Sequence, residues 1–203
     1  MKKIDLKKEF AALYKATAKP AVLKVPKLRY LMIDGQGDPN TSKDFADAIT
    51  TLYGLSYAMK FMLKKGPEAI DYPVMPLEAV WWADDMNDFM KANKSKWKWT
   101  AMIMQPSIIN AKTMKAAKAE LDRKKKALPA IDLVRLEDMT EGACAQILHV
   151  GSYASEGPTI QKLHAFIKDQ GKAPRGKHRE IYLSDARRMA PDKLRTIIRQ
   201  PMG

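Results

Sequence analysis

Cysteine is almost absent from this chain: Cys144 is the one thiol in 203 residues. An internal disulfide framework is therefore excluded, and three histidines beside that single cysteine have no zinc-site spacing. Long apolar runs are missing as well. Met1 to Leu6 alternates charged and apolar residues, and no window reaches the length that a signal-peptide core or a membrane span needs. The expected setting is reducing and cytoplasmic, with no membrane partner. Acids are scarce relative to bases, 23 Asp and Glu against 36 Lys and Arg, for a net charge of +13 and a pI near 9.7.

A cationic excess of that size raises the question of nucleic acid. The cations are scattered, however, and the densest run, Arg123 to Lys126, ends an expected helix, where cations also complement the dipole. No zinc finger, basic region with heptads or aromatic RNA-binding signature is present, so nucleic acid is not the expected partner. Gly35-Gln36-Gly37-Asp38 is too short for a dinucleotide fingerprint and reads as a tight strand-to-helix turn. Ser184-Asp185 lacks the Gly-x-Ser-x-Gly setting of a nucleophile elbow. Neither a metal nor any other cofactor is called for.

What is present is a chain 46% hydrophobic, enough to bury a sizeable core. Residues 1–26 mix Lys, Ala and Pro without sustained period and read as an N-terminal arm. Leu28 to Asp34 predicts a buried strand. Thr41 and Asp44 have capping-box spacing, and Phe45, Ile49, Leu52, Leu55, Met59 and Leu63 recur at helical period until Lys64, Lys65, Gly66 and Pro67 stop the run. Leu77 to Ala83 and Trp97 to Gln105 read as strands, with a short helix expected over Asp84 to Ala92. Ile108 to Lys126 predicts a surface helix. Then come strands at Ile131 to Glu137 and Ala143 to Val150, a turn at Gly151 to Ser155, a helix from Pro158 to Gln170, a strand Glu180 to Ser184, a helical turn starting at Pro191, and a strand Thr196 to Pro201.

The order strand, turn, helix, strand, strand thus occurs twice. The expectation is an α+β fold made by pseudo-symmetric duplication of a βαββ unit, with an antiparallel sheet, two main helices and a central ligand groove. One domain would span 27–203, its halves 27–106 and 131–203 joined by the helix at 108–126.

Aligning the halves sets Pro76-Leu77-Glu78-Ala79-Val80-Trp81-Trp82 against His178-Arg179-Glu180-Ile181-Tyr182-Leu183-Ser184, so each matched strand carries a glutamate near its start. Strand alternation groups Glu78 with Val80 and Trp82, and Glu180 with Tyr182 and Ser184. All four tryptophans fall between Trp81 and Trp99. A carboxylate among large rings binds organic cations by charge and cation–π attraction, and partial desolvation also raises its pKa toward that of a general base. For Trp82 and Trp99 both a core and a pocket role stand open, and Glu78 reads either as a pocket acid or as a strand residue paired with a lysine. Trp97 shares a face with Trp99. Tyr57 faces either the core or the groove, and His149, near a strand end, is a rim histidine or a proton carrier. His164 reads as packing and His178 as a solvated loop residue.

Three stretches, Glu180-Ile181-Tyr182-Leu183-Ser184-Asp185, Ile147-Leu148-His149-Val150-Gly151-Ser152-Tyr153 and Pro76-Leu77-Glu78-Ala79-Val80-Trp81-Trp82, together resemble the GyrI-like ligand-binding domain over residues 20–202. The resemblance implies two βαββ halves with a ligand groove, Glu180 as the acidic centre of a drug pocket and Tyr182 as its accompanying tyrosine. Ala186 stands where a proline often follows Ser-Asp in that family. The Leu-Glu-Ala-Val-Trp-Trp and Trp-Lys-Trp stretches are similar to stand-alone members, some of which hydrolyse cyclopropane-bearing DNA alkylators. Glu180, Tyr182 and Glu78 are then the expected catalytic residues, and Trp82, Trp99, Trp97, Tyr57 and His149 the expected ligand contacts. The expected partner is a flat, amphipathic or cationic organic molecule, bound by a monomer or homodimer. The resemblance equally allows a non-catalytic regulatory protein.

Overall fold

A computed structural model describes residues 1–85 and 93–203. Two long strands, β2 (Ala21–Gln36) and β6 (Arg135–Val150), each open a βαββ series. The first continues with α3 (Lys43–Lys65), β4 (Leu77–Trp82) and β5 (Lys98–Gln105), and the second with α5 (Gly157–Asp169), β7 (His178–Tyr182) and β8 (Arg195–Pro201). The α+β class, the duplication and the antiparallel pairing agree with the sequence reading. The chain forms two compact units. One comprises Met1–Glu9, Leu28–Met75 and Trp81–Met139, the other Phe10–Lys27, Pro76–Val80 and Thr140–Gly203.

In the first unit β2 pairs antiparallel with β5, Tyr30 opposite Met104 and Gly35 opposite Trp99. The helix α3 begins one residue later than the capping-box spacing suggests, because the Ser42 hydroxyl, not that of Thr41, accepts from the Phe45 N–H at 3.2 Å. Its buried side is Phe45, Ala48, Leu52, Leu55 and Met59. This unit also holds the helical turn α1 (Leu6–Glu9) and the helix α4 (Ala111–Arg123), the latter capped by the Asn110 side chain, which accepts from the Thr113 N–H at 3.0 Å. A short parallel pair joins β1 (Lys2–Lys3) to β3 (Ile70–Asp71).

Gly35 shows why that position has no side chain. A Cβ there would lie 2.2 Å from the Trp99 ring, so the indole covers bare backbone while its other flank takes the edge of Phe45, centroids 4.9 Å apart. Trp81 stacks obliquely on Phe45 at 5.3 Å and meets Trp97 edge-on at 5.9 Å. Such contacts add to the large area each ring buries.

Two expectations shift. Ile131–Leu133 is a 3₁₀ turn rather than a strand, with Leu133 largely exposed, and the two strands expected over 131–137 and 143–150 are one continuous strand, Arg135–Val150. The joining residues 138–142, Asp-Met-Thr-Glu-Gly, carry no apolar run to read, yet their backbone still extends. Of the helix expected over Asp84 to Ala92, Asp84 and Asp85 form a bend and the remainder lies outside the described residues.

In the second unit β8 is central, antiparallel to both β6 and β7. Alternation gives its sheet two faces. On one, Ala145, Ile147, Ile198 and Met202 pack against Leu163 and Ile167 of α5, an apolar cluster exposed by no more than 2%. The other face is charged. Arg179 and Arg199 stand directly opposite each other on β7 and β8, side chains 0% and 1% exposed. Glu141 reaches both, Oε1 at 3.0 Å from Arg179 Nε and Oε2 at 3.4 Å from Arg199 Nη1. Glu78 meets Arg179 Nη1 at 2.8 Å through Oε2 and accepts from the Tyr14 hydroxyl at 2.6 Å through Oε1.

The N-terminal segment lies over this layer. Helical turn α2 (Ala11–Tyr14) offers its carbonyls, Leu13 O accepting from Arg199 and Ala12 O from Gln146 Nε2 at 2.9 Å, while Lys15 O accepts from Gln146 at 3.1 Å. Two carboxylates and two guanidiniums thereby neutralise one another out of water. Each alone in that position would carry a desolvation penalty of several kcal/mol, and the pairing offsets it.

Two substitutions test these contacts by urea denaturation. Gly35→Ala should lower stability by about 1–3 kcal/mol, since Trp99 must leave its place; an unchanged midpoint would mean the ring moves freely. Glu78→Leu should cost about 3–5 kcal/mol by leaving Arg179 undercompensated, and a neutral result would show that Glu141 alone suffices.

Candidate functional site

The α5-side face of the second sheet is apolar only in part. Register aligns His149, Thr196 and Tyr182 in one row across β6, β8 and β7, with Ile147, Ile198 and Glu180 in the next. His178, Glu180 and Tyr182 alternate along β7 and so share this face, while Arg179 and Ile181 take the other. A stretch of five residues therefore serves two environments.

Within the row, the Tyr182 hydroxyl donates to Glu180 Oε2 at 2.7 Å, and His178 Nε2 lies 3.3 Å from Oε1. The Glu180 side chain retains 13% exposure, against 0% for that of Glu78. Tyr153, on the 3₁₀ turn Tyr153–Ser155, stands edge-on to Tyr182 with centroids 5.6 Å apart. Burial foremost, then the negative charge of Glu180, Glu156 and Asp185, pushes the Tyr153 hydroxyl up to about 12. Burial first, and next the charge of His178, holds His164 of α5 below the usual imidazole range. The Thr196 hydroxyl is buried and has no hydrogen-bond partner among the described residues. A carboxylate, a phenol and an open hydroxyl thus lie on one partly dry surface, a set able to hold an organic cation or to orient water.

His149 is the pin of the neighbouring turn. Its Nδ1 is 2.9 Å from Thr159 Oγ1, and Nε2 is 3.1 Å from Ser152 O and 3.2 Å from Ser155 Oγ. The left-handed Gly151, at φ +141°, leaves room for that ring, since a Cβ would come within 3.1 Å of Nε2.

The other expected site residues are distributed differently. Glu78 belongs to the charged layer on the opposite face of β7 from Glu180, both of its oxygens occupied by Arg179 and Tyr14. Trp99 is 1% exposed and committed to Gly35 and Phe45, which is core packing. Trp97 and Trp82 are half-buried. Tyr57 does not face the sheet: it is 46% exposed, and at about 100° per residue it sits about 200° round α3 from both Leu55 and Met59.

Two participants escape a sequence reading. His178, expected in solvent, is 7% exposed beside Glu180, and its two-residue offset from that glutamate was the available signal. Thr196 gave none, because its row is set by strand register. Among the described residues no group of three or more His, Cys, Asp or Glu is placed to hold a metal. No described helix is long and apolar enough to cross a membrane.

The comparisons with known proteins agree with this architecture. The model of the GyrI-like small molecule binding domain matches residues 18–201. Two crystal structures, each of a hydrolase from Listeria innocua, are 34% and 33% identical to this chain, cover 100% and 98% of it and are themselves covered in full, with TM-scores of 0.88 and 0.87. The C-terminal domain of EcmrR, at 10% identity, 91% coverage of this chain, 97% of its own and a TM-score of 0.56, shares the fold. No curated protein sequence matches. With the family model spanning nearly the whole chain, and relatives a third identical along their full length, this protein belongs to the GyrI-like small-molecule-binding domain family.

Proposed function

We propose that this protein binds flat, amphipathic or cationic organic compounds at the Glu180–Tyr182 surface and opens cyclopropane-bearing DNA alkylators there by adding water. The observation that carries the reading is the 2.7 Å bond from the Tyr182 hydroxyl to the carboxylate of Glu180, a side chain only partly buried. Relatives described as hydrolases over the same full length support the catalytic half.

Glu180 suits the base better than Glu78 does. A base must reach water, and Glu78 is fully buried, its oxygens taken by the Tyr14 hydroxyl and the Arg179 guanidinium. In the reaction, Glu180 accepts a proton from water as the water oxygen bonds to a ring carbon. The strained carbon–carbon bond breaks, and its electron pair moves through the conjugated system to a carbonyl oxygen, giving a phenolate. The Tyr182 hydroxyl can turn from Glu180 to stabilise that oxygen. The proton on Glu180 then returns to solvent as the phenolate is protonated. Ring strain supplies much of the driving force, so one base and one donor suffice.

The test is mass spectrometry of a spiro-cyclopropyl alkylator incubated with the protein, with Glu180→Gln and with buffer. Gain of one water in wild type, reduced by about 10²–10⁴ in Glu180→Gln, is the expected result for loss of a general base. Equal turnover by both proteins would remove Glu180 from the chemistry. If no water is added while the intact compound stays bound, the family's non-catalytic mode applies, and absence of binding would overturn the site itself.

A further inference from the structure

We infer that the outer face of α3, with the basic end of α4, is a docking surface for single-stranded nucleic acid. Tyr53, Tyr57 and Phe61 recur every fourth residue along α3 as a ladder of rings. Their centroids are 6.5 and 6.2 Å apart and their planes are inclined by 27° and 22°. Tyr57 and Phe61 are 46% and 47% exposed, on the side of the helix away from Leu52, Leu55 and Met59. A solvent-facing helix side is ordinarily polar. Ring pairs at this spacing add only slightly to the stability of a helix, so fold stability does not account for three aromatic rings in line.

Cations lie in sequence beside both ends of the ladder, with Lys60 17% and Lys64 38% exposed at one of them. Next to Phe61, Lys60 and Lys64 share the single carboxylate of Asp71 at 2.7 and 2.8 Å, two ammonium groups for one anion. Next to Tyr53, Gly54 lies against Leu128, where a Cβ would approach its Cδ2 to 2.7 Å, and Thr51 Oγ1 accepts from the Ala130 N–H at 3.0 Å. These contacts hold the segment after α4 along α3, and that segment directly follows the exposed run Arg123 to Lys126. Residues 111–126 carry seven cations against two acids.

Flat π-faces one helical turn apart, between clusters of cations, match what a single strand presents: unpaired bases that stack, and phosphates that follow positive charge. A duplex hides its base faces. A second copy would bring two +13 chains together, so like charge argues against self-association as the cover for these rings.

Fluorescence anisotropy tests the assignment with labelled oligothymidine and oligouridine of about 20 nucleotides, longer than the roughly 4–16 that a small domain covers, and with a duplex of equal length. Tyr57→Ala with Phe61→Ala should weaken binding of the single strands about 10-fold or more, with circular dichroism unchanged because both rings are exposed. Lys125→Glu with Lys126→Glu should flatten the salt dependence, by about 0.7 in log–log slope for each phosphate that is no longer neutralised. Comparable binding of the two single strands, well above that of the duplex, is the expected result, because base faces and phosphates are common to both. Undiminished binding by the ring variant, or duplex bound as tightly as single strand, overturns the proposal. So does light scattering that finds a dimer abolished by the ring variant without any oligonucleotide binding.

Discussion

Arg179 has no access to water, and a buried guanidinium must be answered by acids. Much of the second unit follows from that requirement. Glu78 comes from one strand and Glu141 from another to pair with it, Arg199 stands opposite to use the second oxygen of Glu141, and the carbonyls of α2 complete the donors that remain. The N-terminal segment is thereby tied to the sheet by hydrogen bonds to charged partners, which are stronger than bonds between neutral groups. What composition presents as an irregular arm is the cover of a salt-bridged layer.

The same strand that supplies Arg179 supplies Glu180. Adjacent residues on a strand point to opposite faces, so structural charge and candidate chemistry are separated by one peptide bond. This separation gives the two glutamates different characters. Glu78 has its oxygens taken by Arg179 and Tyr14, whereas Glu180 has a phenol and an imidazole for neighbours and a side chain still 13% exposed. A fully buried acid and an acid that stays partly exposed are distinguished by surroundings alone.

In the first unit, the tryptophan-rich segment divides along similar lines. Trp99 fills the space above Gly35, and Trp81 joins Phe45 and Trp97 in an oblique cluster. A glycine opposite a large ring is one solution to covering backbone inside a sheet, since the indole excludes water from the strand without a clash. On α3 the core takes Phe45, while Tyr57 and Phe61 stay about half exposed on the outer side.

Residue order alone determined the duplication, the class of each main element, the identity of α3 down to its stop signal and the pairing of Glu180 with Tyr182 on one face. All of these rest on local rules: helical and strand periods, caps, and the two-residue repeat of β-structure. Tertiary structure decided the rest. That Arg179 would be buried, that Glu78 would be its partner rather than a pocket acid, and that His178 would leave solvent depended on which strands became neighbours. The start of β6 at Arg135 and the place of Thr196 in the His149–Tyr182 row depended on register. Period assigns a side chain to a face, but only the neighbour across the sheet or above it determines whether that face meets water, a charge or a ring.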